Sequence, residues 1–234
     1  MQGTEDRTRV WDPFVRAGHW TLAAAFAVAY LTAEELEDVH VAAGYWIGAY
    51  VIARTAWGFV GSRHARFSDF VRGPRAVFGY LSDLLRGKPA YYVGHNPAGG
   101  AMIVALLLGL AATVFTGLLT QADAENEGPL SPWFGHPTQT AAASTPTALP
   151  SMGGEGSGPA SPTGAEEKEA DSPYAEAHAL FANLTLGLIV LHLLGVLAGS
   201  LVHKENLPLA MIRGYKPGHE RDIGPGKLHP PAKV

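Results

Sequence analysis

Four long apolar stretches alternate with polar segments along the chain, and each is about as long as a helix that crosses a bilayer. Crossing the hydrocarbon core takes roughly 20 apolar residues in a helix, which also satisfies every backbone polar group. We therefore predict an all-α membrane protein, a four-transmembrane-helix bundle that forms one domain over residues 1–234. The predicted spans are residues 14–33, 39–60, 97–119 and 177–202.

The fourth stretch contains no Asp, Glu, Lys or Arg between His178 and Val202. It carries two histidines, His178 and His192, which are 14 positions apart. At about 100° and about 1.5 Å per residue, both rings lie on nearly one face of the helix, roughly 21 Å apart along it. Ionisable residues inside a membrane usually face the bundle interior and mark a function. A lone membrane histidine is as often only hydrogen-bonded to a neighbouring helix, but a pair at two depths favours two ligand sites.

The first two stretches each admit two interpretations. The first could be a secretory signal peptide, with a basic flank, an alanine-rich run and an A-x-A triplet, but His19 inside it favours a retained helix that carries a ligand. The second opens with His40, and Gly44 and Gly48 follow on one face. Glycines on a membrane helix let either a second helix or a flat cofactor approach the backbone closely. Of these two explanations, packing against another helix is favoured.

A short interfacial helix is predicted between spans two and three, in the sequence PRAVFGYLSDLLRG. Pro74 suits the first turn of a helix, and Gly87 suits its end. The apolar residues of one face are Val77, Tyr80, Leu81 and Leu84. An amphipathic helix of this kind lies in the plane of the membrane surface, against lipid.

Charge is distributed unevenly between the predicted connectors. Of the 17 Lys and Arg residues, Lys168 alone lies on the side opposite to the termini. The positive-inside rule therefore places the N- and C-termini of this multi-pass protein in the cytoplasm. Residues 121–176 are rich in Gly, Pro, Ser, Thr and Ala and carry nine acids and one base. They are predicted to form a low-complexity acidic periplasmic loop.

The chain contains no cysteine, which removes several classes of site. Disulfides, thiolate metal sites, iron–sulfur clusters and the covalent attachment of c-type haem all need cysteine. Any haem must therefore be held non-covalently, through histidine or methionine. The sequence also lacks a glycine-rich phosphate loop and a basic patch interleaved with aromatic residues, so we expect no nucleic-acid partner.

Depth in the predicted bundle sorts the histidines into two levels. His40 and His178 lie at the outer level. At the inner level lie His19, His95, His192 and His203. A histidine pair at each level predicts two six-coordinate haems stacked across the membrane. By depth alone His203 could partner His19 as well as His192 could, although the neighbouring Lys204 and Glu205 suggest a wet terminus.

Four segments of the chain are similar to a known family: VWDPFVRAGHW, RTAWGFVG, GHNPAGG and HALFANLTLGLIVLHLLGVLAGSLVHKENL. The chain resembles the dihaem b-type cytochromes of bacterial membranes, the cytochrome b561-like group. That group is akin to the b-type cytochrome subunits of nickel–iron hydrogenase and formate dehydrogenase. The long acidic loop departs from the family pattern and leaves the external partner open.

The resemblance implies two haem b groups and names their iron ligands. Carried onto this chain, the ligands are His19, His40, His178 and His192. Resemblance and depth together imply that His19 pairs with His192 on the cytoplasmic side and His40 with His178 on the periplasmic side. His203 is then not a ligand. Arg54, near the inner end of span two, is expected either to extend to the interface or to meet an anion there, such as a haem propionate or a lipid phosphate.

The function implied is transmembrane electron transfer between the quinone pool and a periplasmic redox partner such as a c-type cytochrome. Whether the protein also acts as an enzyme, a quinone oxidoreductase, is left open. One alternative is a membrane-anchor cytochrome b subunit of a larger hydrogenase or dehydrogenase. Another is a histidine-using ion or metal transporter, which intramembrane carboxylates would favour, and the predicted spans contain none.

A quinone site is predicted where span three begins, at His95 and Asn96. An unperturbed imidazole titrates near pH 6.5 and can exchange protons with a quinone, and an Asn amide can donate a hydrogen bond without charge. Gly99 and Gly100 would leave room for a ring. Related dehydrogenase subunits bind a quinone analogue near an equivalent Asn and Gly. The alternative is that Asn96 caps the helix and His95 holds a propionate or a lipid phosphate.

Overall fold

The computed structural model describes residues 7–9, 12–88, 90, 92, 94–135, 172–204 and 206–217. The chain divides into two compact units, which are described one at a time. The first consists of Met1–Val114 and Phe181–Val234, and the second is Phe115–Leu180. The middle of the predicted acidic loop, residues 136–171, lies outside the described residues.

The described residues are almost entirely helical. The long helices are α1 (Pro13–Thr32), α2 (Glu37–Val60), α5 (Pro97–Thr120) and α7 (Pro173–His203). The shorter helices are α3 (Phe67–Phe70), α4 (Pro74–Leu85), α6 (Ser131–Phe134) and α8 (Leu207–Arg213). A 3-10 turn (Arg63–Ala65) follows α2, and a π-helical turn (Gln121–Glu125) extends α5. Two short strands, β1 (Arg7–Arg9) and β2 (Tyr215–Pro217), pair in antiparallel fashion.

The four long helices begin and end within a few residues of the four predicted spans. In the described part of the chain, Pro97–Glu125 and Pro173–Val202 are long and apolar enough to cross a membrane by length and composition. The helices α1 and α2 are less apolar on average, because they contain polar residues such as Arg16 and Arg54. The 20 residues of α1 are about 30 Å long, enough for the hydrocarbon core. The count of four spans therefore stays a prediction.

One apolar core in the first unit takes side chains from all four long helices. Its buried residues are Phe26, Ala29, Ile47, Val51 and Leu110, and Leu186 and Ile189 of α7 pack against it. The three- and four-residue spacings place one face of each helix toward this core. Outward-facing leucines such as Leu193, which is 61% exposed, suit contact with lipid better than contact with water.

Glycines allow close helix contacts in this unit. A Cβ added at Gly48 would lie 3.0 Å from Val114 of α5, so helix packing accounts for this position. A Cβ added at Gly44 would meet nothing within 4 Å, so the other interpretation, access for a flat group, stays open there. Between α5 and α7, a Cβ on Gly109 would lie 2.9 Å from the Thr185 hydroxyl oxygen.

Asp12 connects the start of α1 to the end of α2. Its Oδ1 accepts a hydrogen bond from the Val15 backbone N–H at 2.8 Å, which caps α1. Its Oδ2 accepts hydrogen bonds from the Trp57 indole, at 3.0 Å, and from the Ser62 hydroxyl. Burial alone would raise the pKa of Asp12, but the bonds from Ser62, Trp57 and Val15, with the charge of Arg54, outweigh it and lower the pKa.

The terminal segments are joined to each other beside α1. Arg7 of β1 is opposite Pro217 of β2. The Arg16 guanidinium donates to the carbonyl of Met211 at 3.2 Å and to that of Ile212, at the end of α8. The described segments near the two termini, β1 and β2, therefore lie side by side, and the placement of the termini in the cytoplasm stays a prediction.

The predicted interfacial helix is present as α4 (Pro74–Leu85). Tyr80 is buried against Tyr92, with 5.9 Å between the ring centroids, and Val77 and Leu84 are half-buried. Burial and the neighbouring Tyr92 raise the pKa of the Tyr80 phenol. Leu85 is exposed on the other side. The apolar face of α4 thus packs partly on protein, and its contact with lipid stays a prediction.

In the second unit, helical structure continues past the predicted end of span three. The π-helical turn (Gln121–Glu125) occupies the start of the predicted loop and ends at Asn126, which has a left-handed φ of 58°. The Ser172 hydroxyl donates to Asp123 Oδ2 at 2.6 Å, so the residue before α7 is held against this turn. Acidic residues indicated a loop here, but this hydrogen bond stabilises one more helical turn.

Candidate redox site

His19 of α1 and His192 of α7 face each other in the first unit. Their ring centroids are 6.4 Å apart and their planes are inclined by 56°. A metal–imidazole bond of about 2 Å on each side of an iron, with about 1 Å from each nitrogen to its ring centre, separates two axial rings by about 6 Å. The rings are thus too far apart to stack and correctly spaced for one iron between them. The site fits the axial ligation of a b haem.

The surroundings of His19 support a ligand role. Its Nδ1 is buried and has no hydrogen-bond partner among the described residues. Trp20 meets the ring edge-on, with 5.3 Å between centroids. A buried polar nitrogen without a partner is costly unless a bound group or water accounts for it. The side chain of His203, the alternative ligand, lies outside the described residues.

His40 is held in the tautomer that a metal ligand needs. Its Nδ1 lies 2.8 Å from the carbonyl oxygen of Ala29, in the last turn of α1. A carbonyl can only accept, so Nδ1 carries the proton and Nε2 of the neutral ring carries the lone pair. A backbone carbonyl bound to the second ring nitrogen is the usual way to orient a ligating histidine. His40 is therefore oriented as an Nε2 ligand.

His178 is positioned by α5 within the second unit. The Thr116 hydroxyl lies 3.4 Å from His178 Nδ1. A Cβ added at Gly117 would lie 3.0 Å from Cε1 and 3.1 Å from Nδ1 of the same ring. The imidazole thus packs on the backbone of α5 at a glycine. His40 belongs to the other unit, so the pairing of these two histidines stays a prediction.

Arg54 is buried against neighbouring protein rather than exposed. Its side chain is only 6% exposed, and Nη2 donates to the Ala65 carbonyl at 3.2 Å. The Phe67 ring lies 5.6 Å from the guanidinium carbon. Residues 63–67 fold back over the end of α2 and supply an acceptor there, so of the two expected roles the contact with an anion stays a prediction. Arg54 Nη1 is buried without a partner among the described residues, so an anion such as a haem propionate fits it.

Asn96 and His95 are both engaged with protein. Asn96 Oδ1 accepts a hydrogen bond from the Gly99 N–H at 2.7 Å, which is the helix cap of the alternative interpretation. The cap uses the side-chain oxygen, and the amide nitrogen is the group that could donate to a ligand. The His95 ring packs on Phe70, with 4.9 Å between centroids. The room expected at Gly100 is absent, because the Phe70 backbone carbonyl presses on it.

Two polar features near the end of α2 were not identified from the sequence, namely Asp12 and the pair His64–Asp69. Asp12 precedes a proline and an apolar run, which is a recognisable helix-start signal. His64 and Asp69 form a second group, with Nδ1 3.2 Å from Oδ2. They lie in a turn and a short helix without any periodic pattern, so no local signal predicts their contact. Among the described residues, no three His, Cys, Asp or Glu side chains are grouped as a metal-ion site.

Comparison with known proteins gives one match. A family model described as prokaryotic cytochrome b561 matches residues 10–214. That region contains all four long helices and each histidine discussed above. No curated protein and no solved structure matches the chain significantly.

Proposed function

Because the chain belongs to the prokaryotic cytochrome b561 family, whose members are membrane cytochromes that transfer electrons through haem b, we propose its specific task. The protein carries electrons across the bacterial inner membrane, between the quinone pool and a periplasmic redox partner such as a c-type cytochrome. Two b haems carry the electrons. His19 with His192 would hold the iron of one haem, and His40 with His178 the iron of the other.

The observation that carries this proposal is the 6.4 Å separation of the His19 and His192 rings. A bound haem supplies a one-electron couple, ferric to ferrous, at each level of the membrane. The chain holds the two rings on separate helices, α1 and α7, whose apolar neighbours lower the local dielectric. Trp20 packs edge-on against the His19 ring.

Arg54 is proposed to hold a propionate of the inner haem. Its guanidinium is buried, and one of its nitrogens has no acceptor among the described residues. A carboxylate would satisfy that donor and pair with the buried charge. The Ala65 carbonyl and the Phe67 ring hold the guanidinium in place from the protein side.

The outer haem is proposed on the local geometry of each ligand. The Ala29 carbonyl sets the His40 tautomer, and Gly117 and Thr116 position the His178 ring. In both residues Nδ1 lies near a protein oxygen, so Nε2 is the nitrogen left to bind iron. This is the second-sphere support that ligating histidines usually have.

A quinone site at His95 and Asn96 completes the proposal. Asn96 has an amide nitrogen to donate while its oxygen caps α5, and His95 can exchange a proton. With Gly100 covered by Phe70, the ring of the quinone would lie on the Asn96 and Gly99 side of the helix start. Replacing His95 and Asn96 separately by Ala should slow haem reduction by a quinol and leave the haem spectra intact. Normal rates in both variants would place quinone elsewhere.

The ligand assignment is tested by counting haems in purified variants. The wild-type protein should show two b haems per chain in a reduced-minus-oxidised spectrum, and His192→Ala should show one. His203→Ala is the matched control, a histidine 11 residues further along the same helix, and should keep both. Loss of a haem in His203→Ala together with two haems in His192→Ala would overturn the assignment.

A further inference from the structure

A histidine–carboxylate pair lies directly beside the proposed quinone site. His64 Nδ1 is 3.2 Å from Asp69 Oδ2, and the two side chains are 23% and 21% exposed. Nδ1 donates and the carboxylate accepts. Because Nδ1 is then the protonated nitrogen, Nε2 is the nitrogen of neutral His64 that can take up a proton. Water reaches both side chains, yet neither is freely solvated.

The pair contacts the segment before α5 in two places, at Gly94, which is next to His95, and through Phe70, which is next to Asp69. A Cβ added at Gly94 would lie 3.4 Å from His64 Nδ1 and 3.9 Å from Asp69 Oδ2, and Gly94 immediately precedes His95. Phe70, next to Asp69, packs its ring on His95. Phe70 is 1% exposed, so α3 is firmly anchored there. The adjacent residues Asp69 and Phe70 of α3 therefore contact His64 and His95 in turn.

The neighbouring cations are directed at backbone carbonyls. Arg54 donates to Ala65, Arg66 to Gly61 at 2.7 Å, and Arg72 to the backbone oxygen of Asp69 at 2.8 Å. Their hydrogen bonds thus go to the backbone and leave the Asp69 carboxylate to His64, while His95 is a titratable group that contacts Phe70 of α3. The described ion pair of Asp69 is with His64.

We propose that His64 and Asp69 transfer protons between the quinone site and water, a role that rests on the proposed function. Oxidation of a quinol releases two protons and two electrons and leaves the quinone. A bound haem would accept the electrons one at a time. His95, whose neighbour Gly94 lies against the His64 ring, takes up each proton and passes it on to Nε2 of His64. The Asp69 carboxylate stabilises the imidazolium, which then releases the proton to water. Quinone reduction takes up two protons by the same route in reverse.

The test uses the haem-loaded protein and a short-chain quinol, with haem reduction followed by stopped flow. His64→Ala should be about a hundredfold slower, the low end of what a positioned proton-transfer group contributes. Added imidazole should restore part of the rate. Asp69→Asn, nearly unchanged in shape, should also be slow and should not respond to imidazole. Ser68→Ala, an exposed position in the same helix, should keep the wild-type rate.

A second measurement does not depend on activity. In protein labelled with ¹⁵N-histidine, the His64 signal, identified by its loss in His64→Ala, should show a protonated Nδ1 at neutral pH. Asp69→Asn should shift that signal toward the other tautomer. A His64 signal that is protonated on Nε2 alone in the wild-type protein would overturn the pair.

The two proposals fail in different ways. Slow reduction in His95→Ala and Asn96→Ala, with a normal rate in His64→Ala and Asp69→Asn, would overturn the proton-transfer role alone. Normal rates in all four variants would overturn the quinone site and the proton route together. A slow His64→Ala variant that imidazole does not restore would show a structural role and contradict proton transfer.

Discussion

Removal of the Asp12 carboxylate should destabilise the contact between α1 and α2. In Asp12→Ala the capping bond to Val15 is lost, which costs about 1 kcal/mol. Trp57 and Ser62 each lose a bond to a carboxylate, and about 1 kcal/mol for each is appropriate because Asp12 is only partly buried. The free energy of unfolding should fall by about 3 kcal/mol in total.

The assay is denaturant unfolding of the haem-loaded protein in mixed micelles, followed by tryptophan fluorescence and by haem absorbance. Asp38→Ala is the matched control, since Asp38 is an exposed aspartate in the first turn of α2. Its loss should change the free energy of unfolding by less than about 1 kcal/mol. If Asp12→Ala remained within about 0.5 kcal/mol of the wild-type protein, the three hydrogen bonds would not stabilise this end of the bundle.

The same carboxylate should make stability depend on pH in a defined direction. Its pKa is lowered in the folded protein, because its hydrogen bonds and Arg54 outweigh burial. The folded state therefore binds this proton less readily than the unfolded chain does. The stabilisation is fully present above the pKa of an ordinary unfolded aspartate and is lost as the pH falls through the lower folded pKa. Asp12→Asn should lose this part of the pH dependence, and an unchanged acid limb would contradict it.

Three further predictions concern the haems and the partner. Gly117→Ala should change the spectrum of one haem, because the new Cβ would lie 3.0 Å from the His178 ring, whereas Gly44→Ala, with nothing within 4 Å, should leave the helices in place; unaltered ligand-field bands in Gly117→Ala would contradict this positioning of His178. Arg54→Met should lower the fraction of inner haem that stays bound on dilution, measured by absorbance, while the control Arg63→Met should not. Equal haem retention in the two variants would contradict the proposed contact between Arg54 and a propionate. Deleting residues 136–170 removes four Glu and one Lys, so electron exchange with a basic c-type cytochrome should slow severalfold at low salt and little at high salt; an unchanged rate at low salt would leave the loop as a tether.

The apolar pattern by itself determined where the long helices lie. Runs of apolar residues bounded by Pro13 and Pro97 begin helices at those prolines, because proline suits a first turn and uninterrupted apolar runs favour helix in a membrane. The spacing of His178 and His192 likewise followed from helical geometry. These properties depend on neighbours along the chain, which a sequence shows directly. The ligand pairing came from family resemblance, and the structure supplies the separation of the inner pair.

Only the tertiary structure decided where polar side chains near helix ends point. Arg54 turns inward because residues 63–67 cover the end of α2 and offer a carbonyl, an arrangement that the composition of α2 does not contain. The space beside Gly100 is likewise occupied by the Phe70 backbone of a neighbouring segment, and His64 contacts Asp69 across a turn. A long side chain can contact any of several neighbouring groups with a similar interaction energy, and a glycine can be approached closely by many of them. The neighbour that it finally contacts depends on which segment folds over it, and that is a property of packing between elements rather than of local sequence.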